Sequence, residues 1–165
     1  MSPWLSTLEV SSLGFTATKH YPTRQSLVVY MVQLEGIKVL DRLLPIPKST
    51  FEPDHTGAGQ TMVDSGTQFT FLLESAYIAL RTAFLNQTSS VLKVLEDPDF
   101  VFQGAMDLCY LVPLNQRVLP LLPTVTLVFR GAEMTVSGDR VLYRVPSELR
   151  GNNSVHCLSS IRQKK

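Results

Sequence analysis

The sequence predicts a mostly β protein with antiparallel strands and one or two helices, and three observations support this prediction. Apolar and polar residues alternate with a period of two over several short segments, as in strands with one buried face. Glycines and prolines separate these segments as they do in turns. A helical period is clear in one segment, so there are too few helices to connect the strands of a parallel sheet.

The first half of the chain reads as short strands. Residues 28–35 place valine, tyrosine and leucine on one face, and hairpin-like connections are predicted at Gly36 and at the polar pair Asp41-Arg42. Residues 37–40 and 43–46 read as hairpin-like strands, the second limited by its prolines. After a polar loop, the apolar residues 61–63 and 69–73 predict a strand, a tight turn and a second strand.

One helix is expected at residues 74–87. Its apolar stripe follows the i, i+1, i+4, i+7, i+8 pattern and consists of Ala76, Tyr77, Leu80, Ala83 and Phe84. A shorter helix is predicted at residues 91–95, ending before Pro98.

The second half returns to strands. Strands are predicted at residues 124–129, 133–136, 141–145 and 155–158. Turns are expected at Arg130-Gly131 and at residues 137–139, and residues 159–165 read as a polar tail. The 165 residues correspond to about one domain, and a hydrophobic fraction of 44% is enough to form a core.

Composition excludes several functions. The net charge of +1, with mixed signs along the chain, argues against a nucleic-acid partner. No apolar run reaches the length that would cross a bilayer, and residues 1–6 do not read as a signal peptide. No metal site or cofactor is expected, since the histidines are far apart and no CxxC motif occurs.

Composition alone does not decide whether the two cysteines are paired or whether the two sequons are glycosylated. Cys109 and Cys157 are either buried thiols or one disulfide, which would stabilise the fold by roughly 4 kcal/mol. Asn86 and Asn152 begin Asn-x-Thr/Ser sequons and would be glycosylation acceptors in a secreted chain.

The candidate site is the turn Asp64-Ser65-Gly66-Thr67. An aspartate between apolar strands is costly unless it is hydrogen bonded or paired, and Gly66 lets the backbone approach the carboxylate. The hydroxyls of Ser65 and Thr67 are short donors that can orient it. An ordinary Asx-type turn is the alternative, and the other aspartates, such as Asp107, read as loop residues that are poor catalytic partners.

The motifs around this turn resemble the second active-site loop of plant pepsin-like aspartic proteases, including the nucellin-like and cell-survival types. The resemblance covers residues 21–157 and follows motifs in order: 33–37, 44–47, 57–72, the Ala-Tyr helix start at 76–77, 100–107, Asp-Leu-Cys-Tyr at 107–110, 123–129 and Val-His-Cys at 155–157. It implies that residues 21–158 are an incomplete C-terminal lobe of a bilobal fold, similar to a xylanase-inhibitor C-terminal region. Residues 1–20 are a poorly defined N-terminal segment, and residues 159–165 match no family pattern.

The resemblance also implies roles. Asp64 would be one of two catalytic aspartates that activate a water for peptide hydrolysis. Ser65 would bond to the other lobe's loop, Gly66 would donate its backbone N–H, and Thr67 would bond the outer oxygen of Asp64. Cys109 and Cys157 would form a disulfide, which suggests the secretory pathway or the extracellular space.

The sequence also departs from the family pattern. The first lobe with its own Asp-Thr-Gly is absent, and so is the family's apolar-apolar-Gly strand beside the loop, so we expect an exposed sheet edge. The predicted function is an aspartic endopeptidase half-site that is inactive alone and acts on peptides or proteins when completed. Alternatives are a non-catalytic binding protein of the xylanase-inhibitor type, DNA binding, which the charge disfavours, and a homodimer that pairs two Asp64 residues.

Overall fold

The computed structural model describes residues 30–53, 55, 61–64 and 67–163. Within them the chain is mostly β, which confirms the predicted fold class. The strands are β1 (Tyr30–Val32), β2 (Leu34–Val39), β3 (Arg42–Leu43), β4 (Thr61–Val63), β5 (Thr70–Leu73), β6 (Lys93–Val94), β7 (Cys109–Pro113), β8 (Val125–Phe129), β9 (Ala132–Val136), β10 (Leu142–Arg150), β11 (Asn153–Leu158) and β12 (Ser160–Gln163). The helices are α1 (Glu74–Thr88) and α2 (Gly138–Val141), with a 3₁₀ turn at Lys48–Thr50. The predicted N-terminal segment 1–20 lies outside the described residues.

Two four-stranded antiparallel sheets make up most of the described fold. The first has the strand order β10-β11-β7-β6, and we call it the disulfide sheet. The second has the order β3-β2-β8-β9, in which β2 and β8 join distant parts of the sequence. Helix α1 packs its apolar stripe into the core, burying Ala76, Tyr77, Leu80 and Phe84 as its period predicts.

The strands that precede and follow the Asp64 turn each belong to a separate two-stranded pair. Strand β4, before the turn, pairs antiparallel with β1, with Val63 opposite Tyr30. Strand β5, after the turn, pairs parallel with β12, with Thr70 opposite Ser160. The two strands of the turn are therefore held by segments that come from opposite ends of the described chain.

Strand β12 corrects two expectations. Residues 159–165 were expected to be a polar tail, and the loss of the family's apolar-apolar-Gly strand was expected to expose a sheet edge. Ser160–Gln163 instead form a strand on β5. Main-chain pairing does not depend on side-chain polarity, and Ile161, which is buried, anchors the strand in the core. The pair is also parallel, an arrangement that local sequence spacing did not favour.

Other differences lie where long-range contacts override local pattern. The helix predicted at 91–95 is absent, and β6 instead pairs with β7 through Val94 opposite Tyr110. The turn predicted at Gly36 is wrong, because β2 continues through it, and the chain reverses at Leu40 with φ of 54°. The turn predicted at 137–139 is the start of α2, where Gly138 allows close packing, since a Cβ there would lie 2.4 Å from the Cβ of Leu122.

Candidate active site

Asp64 lies between β4 and β5, as predicted, and Thr67 closes the turn. The Thr67 hydroxyl donates a hydrogen bond of 2.8 Å from Oγ1 to Oδ2 of Asp64. The Thr67 backbone N–H also donates to the Asp64 carbonyl oxygen at 3.3 Å. The first of these is the hydrogen bond that the family resemblance implies, and it orients the carboxylate. Ser65 and Gly66 lie outside the described residues, so their roles stay predictions.

The surroundings of Asp64 are more open than the apolar flanks suggested. Asp64 is exposed in this chain. Met62 on β4 is 57% exposed and Phe71 on β5 is 53% exposed, although both are large apolar side chains. The apolar strands on either side of Asp64 therefore do not enclose its carboxylate in this chain. The side chains that precede and follow Asp64 on β4 and β5 are thus partly open to water in this chain.

Strand β5, which follows the Asp64 turn, is supported by the segment around β12. The Thr70 N–H donates to the Ser159 carbonyl oxygen at 3.1 Å, and the paired residues continue through Gln163 opposite Leu73. Arg162 also forms an ion pair of 3.3 Å with Glu74, the first residue of α1. This support fixes the strand that leaves the Asp64 turn.

The disulfide between Cys109 and Cys157 is present, which decides against two free thiols. The two residues lie directly opposite each other on β7 and β11, the two central strands of the disulfide sheet, at the end of their ladder. Their neighbours in the same buried cluster include Met106, Val155 and Ile161. The bridge therefore belongs to the core, and Ile161 connects that core to β12.

Asp107 has a partner set that sequence reasoning missed. The Tyr77 hydroxyl and the Arg81 Nε both donate to its Oδ1, the latter at 3.0 Å. Burial alone would raise the pKa of Asp107, but these hydrogen bonds outweigh it and the pKa lies below its ordinary value. Burial and the hydrogen bond to Asp107 raise the pKa of Tyr77. The spacing of Tyr77 and Arg81, four apart on one helix face, was the available signal.

The Asp107 cluster is structural rather than catalytic in character. It ties α1 to the segment that leads into Cys109, and Thr88 strengthens the same connection. The Thr88 hydroxyl donates to the Phe84 carbonyl oxygen at 2.8 Å and lies 2.7 Å from the Tyr110 hydroxyl. These contacts lock the helix against β7.

The two candidate glycosylation residues lie far from the Asp64 turn in sequence. Asn86 lies on α1 and Asn152 in the turn between β10 and β11. In the described part of the chain, no three histidine, cysteine, aspartate or glutamate residues are grouped so as to hold a metal ion. The helices described here are too short and too polar to cross a bilayer.

The comparison with protein families gives one match of high coverage. The family model described as xylanase inhibitor C-terminal matches residues 29–165. The chain is 64% identical over 135 residues to aspartic proteinase PCS1 of Arabidopsis thaliana, covering 80% of this chain and 30% of that relative. It is 34% identical over 123 residues to aspartyl protease family protein 2 of the same plant, covering 74% of this chain and 23% of the relative.

Solved structures give the same fold. The crystal structure of edgp superposes with a TM-score of 0.65 at 18% identity, covering 92% of this chain and 36% of that one. Conglutin gamma from lupine seeds superposes with a TM-score of 0.53 at 18% identity, covering 85% and 30%. The chain thus spans about a third or less of the length of these relatives and neighbours.

Proposed function

This chain belongs to the plant pepsin-like aspartic proteases and corresponds to their C-terminal region, and from this premise we propose that it is one half of an aspartic endopeptidase site with Asp64 as its catalytic acid. The observation that carries the proposal is the Asp64 carboxylate, exposed at a turn and oriented by the 2.8 Å hydrogen bond from Thr67. A group in this position can meet a second carboxylate supplied by another lobe.

The proposed chemistry needs two carboxylates. In aspartic protease dyads, two like charges held close together cannot both ionise easily, so they share one proton. The ionised member accepts a proton from a bound water, which attacks the peptide carbonyl, and the protonated member hydrogen bonds to the carbonyl oxygen. The contribution of this chain is Asp64 held in place by Thr67.

The exposed apolar side chains beside Asp64 support the need for a partner lobe. Met62 and Phe71 flank the turn on β4 and β5 and would lose contact with water if a second lobe packed there. The chain alone provides one carboxylate of the pair, so we expect no proteolysis from it as a monomer.

A chimera tests this function. The N-terminal part of the Arabidopsis relative that is 64% identical would be joined to residues 29–165 of this chain. We expect cleavage of a peptide substrate at acidic pH by the chimera, none by the chain alone, and none by the chimera with Asp64→Ala. Asp139→Ala, at an exposed aspartate of α2, is the matched control and should cleave normally.

Two outcomes would contradict the proposal. One is cleavage by the purified chain alone that Asp64→Ala abolishes, which would mean that a single lobe, or a homodimer detected by sedimentation, is sufficient. The other is a folded chimera whose activity does not depend on Asp64.

A non-catalytic binding function is the second candidate. It is favoured by the match to a model described as xylanase inhibitor C-terminal. The presence of Asp64 and Thr67 in hydrogen-bonded geometry favours the protease instead. Inhibition of a xylanase by the purified chain, unchanged by Asp64→Ala, would decide for binding.

A location in the secretory pathway completes the proposal. A disulfide that joins the central strands of a sheet persists in oxidising compartments and is rare in the cytosol. The plant aspartic protease relatives are compatible with this location.

A further inference from the structure

Asn152 lies at the tip of the hairpin formed by β10 and β11. Arg150 pairs with Asn153, which leaves Gly151 and Asn152 as a two-residue connection. Gly151 has φ of 58°, the left-handed value that the first central residue of a type II′ hairpin turn requires. Asn152 is exposed, and its side-chain amide makes no hydrogen bond to any other described residue.

Asn86 has a different environment although its sequon is equally complete. It lies within the last turn of α1, two residues before Thr88. Thr88, the hydroxyl residue of this sequon, is fully buried and held by Phe84 and Tyr110. A transferase that must reach both the asparagine and the hydroxyl would have to unwind the end of the helix.

The hydroxyl of the second sequon is also used in the folded chain. Ser154 is buried, its Oγ donates to the Val112 carbonyl oxygen at 3.2 Å, and it lies 3.1 Å from Nε2 of His156. Once β11 has paired with β7, the hydroxyls of Thr88 and Ser154 are both buried, so neither sequon presents its hydroxyl to the transferase. Modification must therefore precede the completion of the disulfide sheet.

The two sequons become inaccessible to the transferase at different stages of folding. The helical hydrogen bonds around Asn86 are local and form within about a microsecond in peptides, and the contact of the Thr88 hydroxyl with Tyr110 spans 22 positions. Burial of Ser154 requires contact with Val112, which is 42 positions away, so it needs long-range pairing that forms more slowly. The segment around Asn152 thus stays accessible for longer than the segment around Asn86.

The structure assigns Asn152 as the N-glycan acceptor of this chain and excludes Asn86, an inference that rests on the secretory location proposed above. A bond forms between Nδ2 of Asn152 and C1 of an oligosaccharide carried on a lipid pyrophosphate. The bond from C1 to the pyrophosphate oxygen breaks, the lipid pyrophosphate leaves with the electron pair, and Nδ2 releases one proton. No oxidant or reductant takes part.

The finished fold accommodates a glycan at this position. Asn152 is exposed at a hairpin tip, and its main chain is anchored, since its carbonyl oxygen accepts a hydrogen bond of 3.0 Å from Leu114 N–H. The hairpin belongs to the disulfide sheet, whereas the Asp64 turn joins β4 and β5 of the two small pairs. Glycosylation and proteolysis are thus separate readouts on separate sheets.

The test directs the full chain into the endoplasmic reticulum of plant cells, with a reporter sequon appended after Lys165 to select delivered molecules. Wild type, Asn152→Gln and Asn86→Gln are compared by mass spectrometry after enzymatic glycan removal, which converts each glycosylated asparagine to aspartate. Besides the glycan on the reporter sequon, we expect one glycan in wild type and in Asn86→Gln, and none in Asn152→Gln. A delivered wild-type chain bare at Asn152, or one glycosylated at Asn86, overturns the inference whether or not the chimera cleaves peptides.

A helix-breaking variant tests the reason for the choice. Ala83→Pro lies upstream of the first sequon and removes a helical hydrogen bond while leaving the sequon intact. We expect Asn86 to become glycosylated in delivered molecules of this variant, with Asn152 occupancy unchanged. If Asn86 stays bare, the helix does not protect it and the structural explanation fails.

Discussion

The disulfide sheet and the Asp64 region are built from the same kinds of strand but differ in how they are closed. The disulfide sheet has four strands, a central covalent bridge and residues such as Tyr110 and Cys157 that are fully buried. The Asp64 region has two-stranded pairs on each side of the turn, with Met62 and Phe71 more than half exposed. The disulfide sheet is thus the better buried of the two regions, whereas Asp64, Met62 and Phe71 are exposed.

The largest expected effect lies in the disulfide sheet. Replacing Cys109 and Cys157 together by alanine removes the bridge and should lower the free energy of unfolding by about 4 kcal/mol, since the open chain gains entropy when it unfolds. Urea unfolding of the variant and of wild type measures the difference. A loss below about 1 kcal/mol would mean that the sheet does not depend on the bridge, and the contrast between the two regions would weaken.

The next effect lies where the two regions meet, at Ile161 of β12. Ile161→Ala removes a buried side chain and should cost about 2 kcal/mol, with faster amide exchange at Thr70 because its partner strand loosens. Leu121→Ala is the matched control, since Leu121 is 97% exposed and the change should stay within about 0.5 kcal/mol. Unchanged exchange at Thr70 would show that β12 does not support the turn.

A smaller effect is expected at the Asp107 cluster, and it depends on pH. Tyr77→Phe removes a donor to Asp107 and should cost about 1 kcal/mol at neutral pH, a value reduced because the carboxylate side chain is 40% exposed. The folded pKa of Asp107 lies below its ordinary value of 3.8, so this stability is present above pH 3.8 and is lost as pH falls through the folded pKa.

Unfolding measured from pH 7 to pH 2 checks the sign. The difference between wild type and Tyr77→Phe should shrink on acidification. Tyr143→Phe is the control, because that hydroxyl makes no hydrogen bond within the described residues while the ring packs on Phe69 and Phe102. A difference that grows as pH falls would contradict the assigned direction.

The smallest effect is expected at Asp64 itself. Asp64→Ala removes an exposed carboxylate whose hydrogen bond from Thr67 lies at the surface, so the free energy of unfolding should change by no more than about 0.5 kcal/mol. The same substitution should abolish cleavage by the chimera. A large stability loss would place Asp64 in the supporting structure and would remove the separation between the two regions.

Local pattern was sufficient to predict the elements that depend on local residues. The stripe from Ala76 to Phe84 predicted α1 to within one residue of its end, and the apolar flanks predicted β4 and β5. Elements that depend on distant partners were missed. Strand β6 forms because Val94 meets Tyr110, and β12 forms because β5 offers an unpaired edge, and neither partner is visible in the local sequence.

The candidate site shows the same limit. The turn and the Thr67 hydrogen bond followed from the residues and the family resemblance, and the structure contains both. The exposure of Met62 and Phe71 did not follow, because an apolar strand reads the same whether its cover comes from this chain or from another body. Asp107 looked like a loop residue because Tyr77 and Arg81 reach it from a helix far away in sequence.

The parallel pairing of β5 with β12 has a consequence for the order in which a cell completes this protein. Ribosomes add roughly 5–20 residues per second, so β5 and α1 emerge well before Ser160–Gln163 is made. Every nascent molecule therefore passes through an interval in which the strand leaving Asp64 lacks its neighbour. During that interval its unpaired main chain is available to a chaperone or to a second nascent chain, so translation speed between residues 73 and 160 should influence yield.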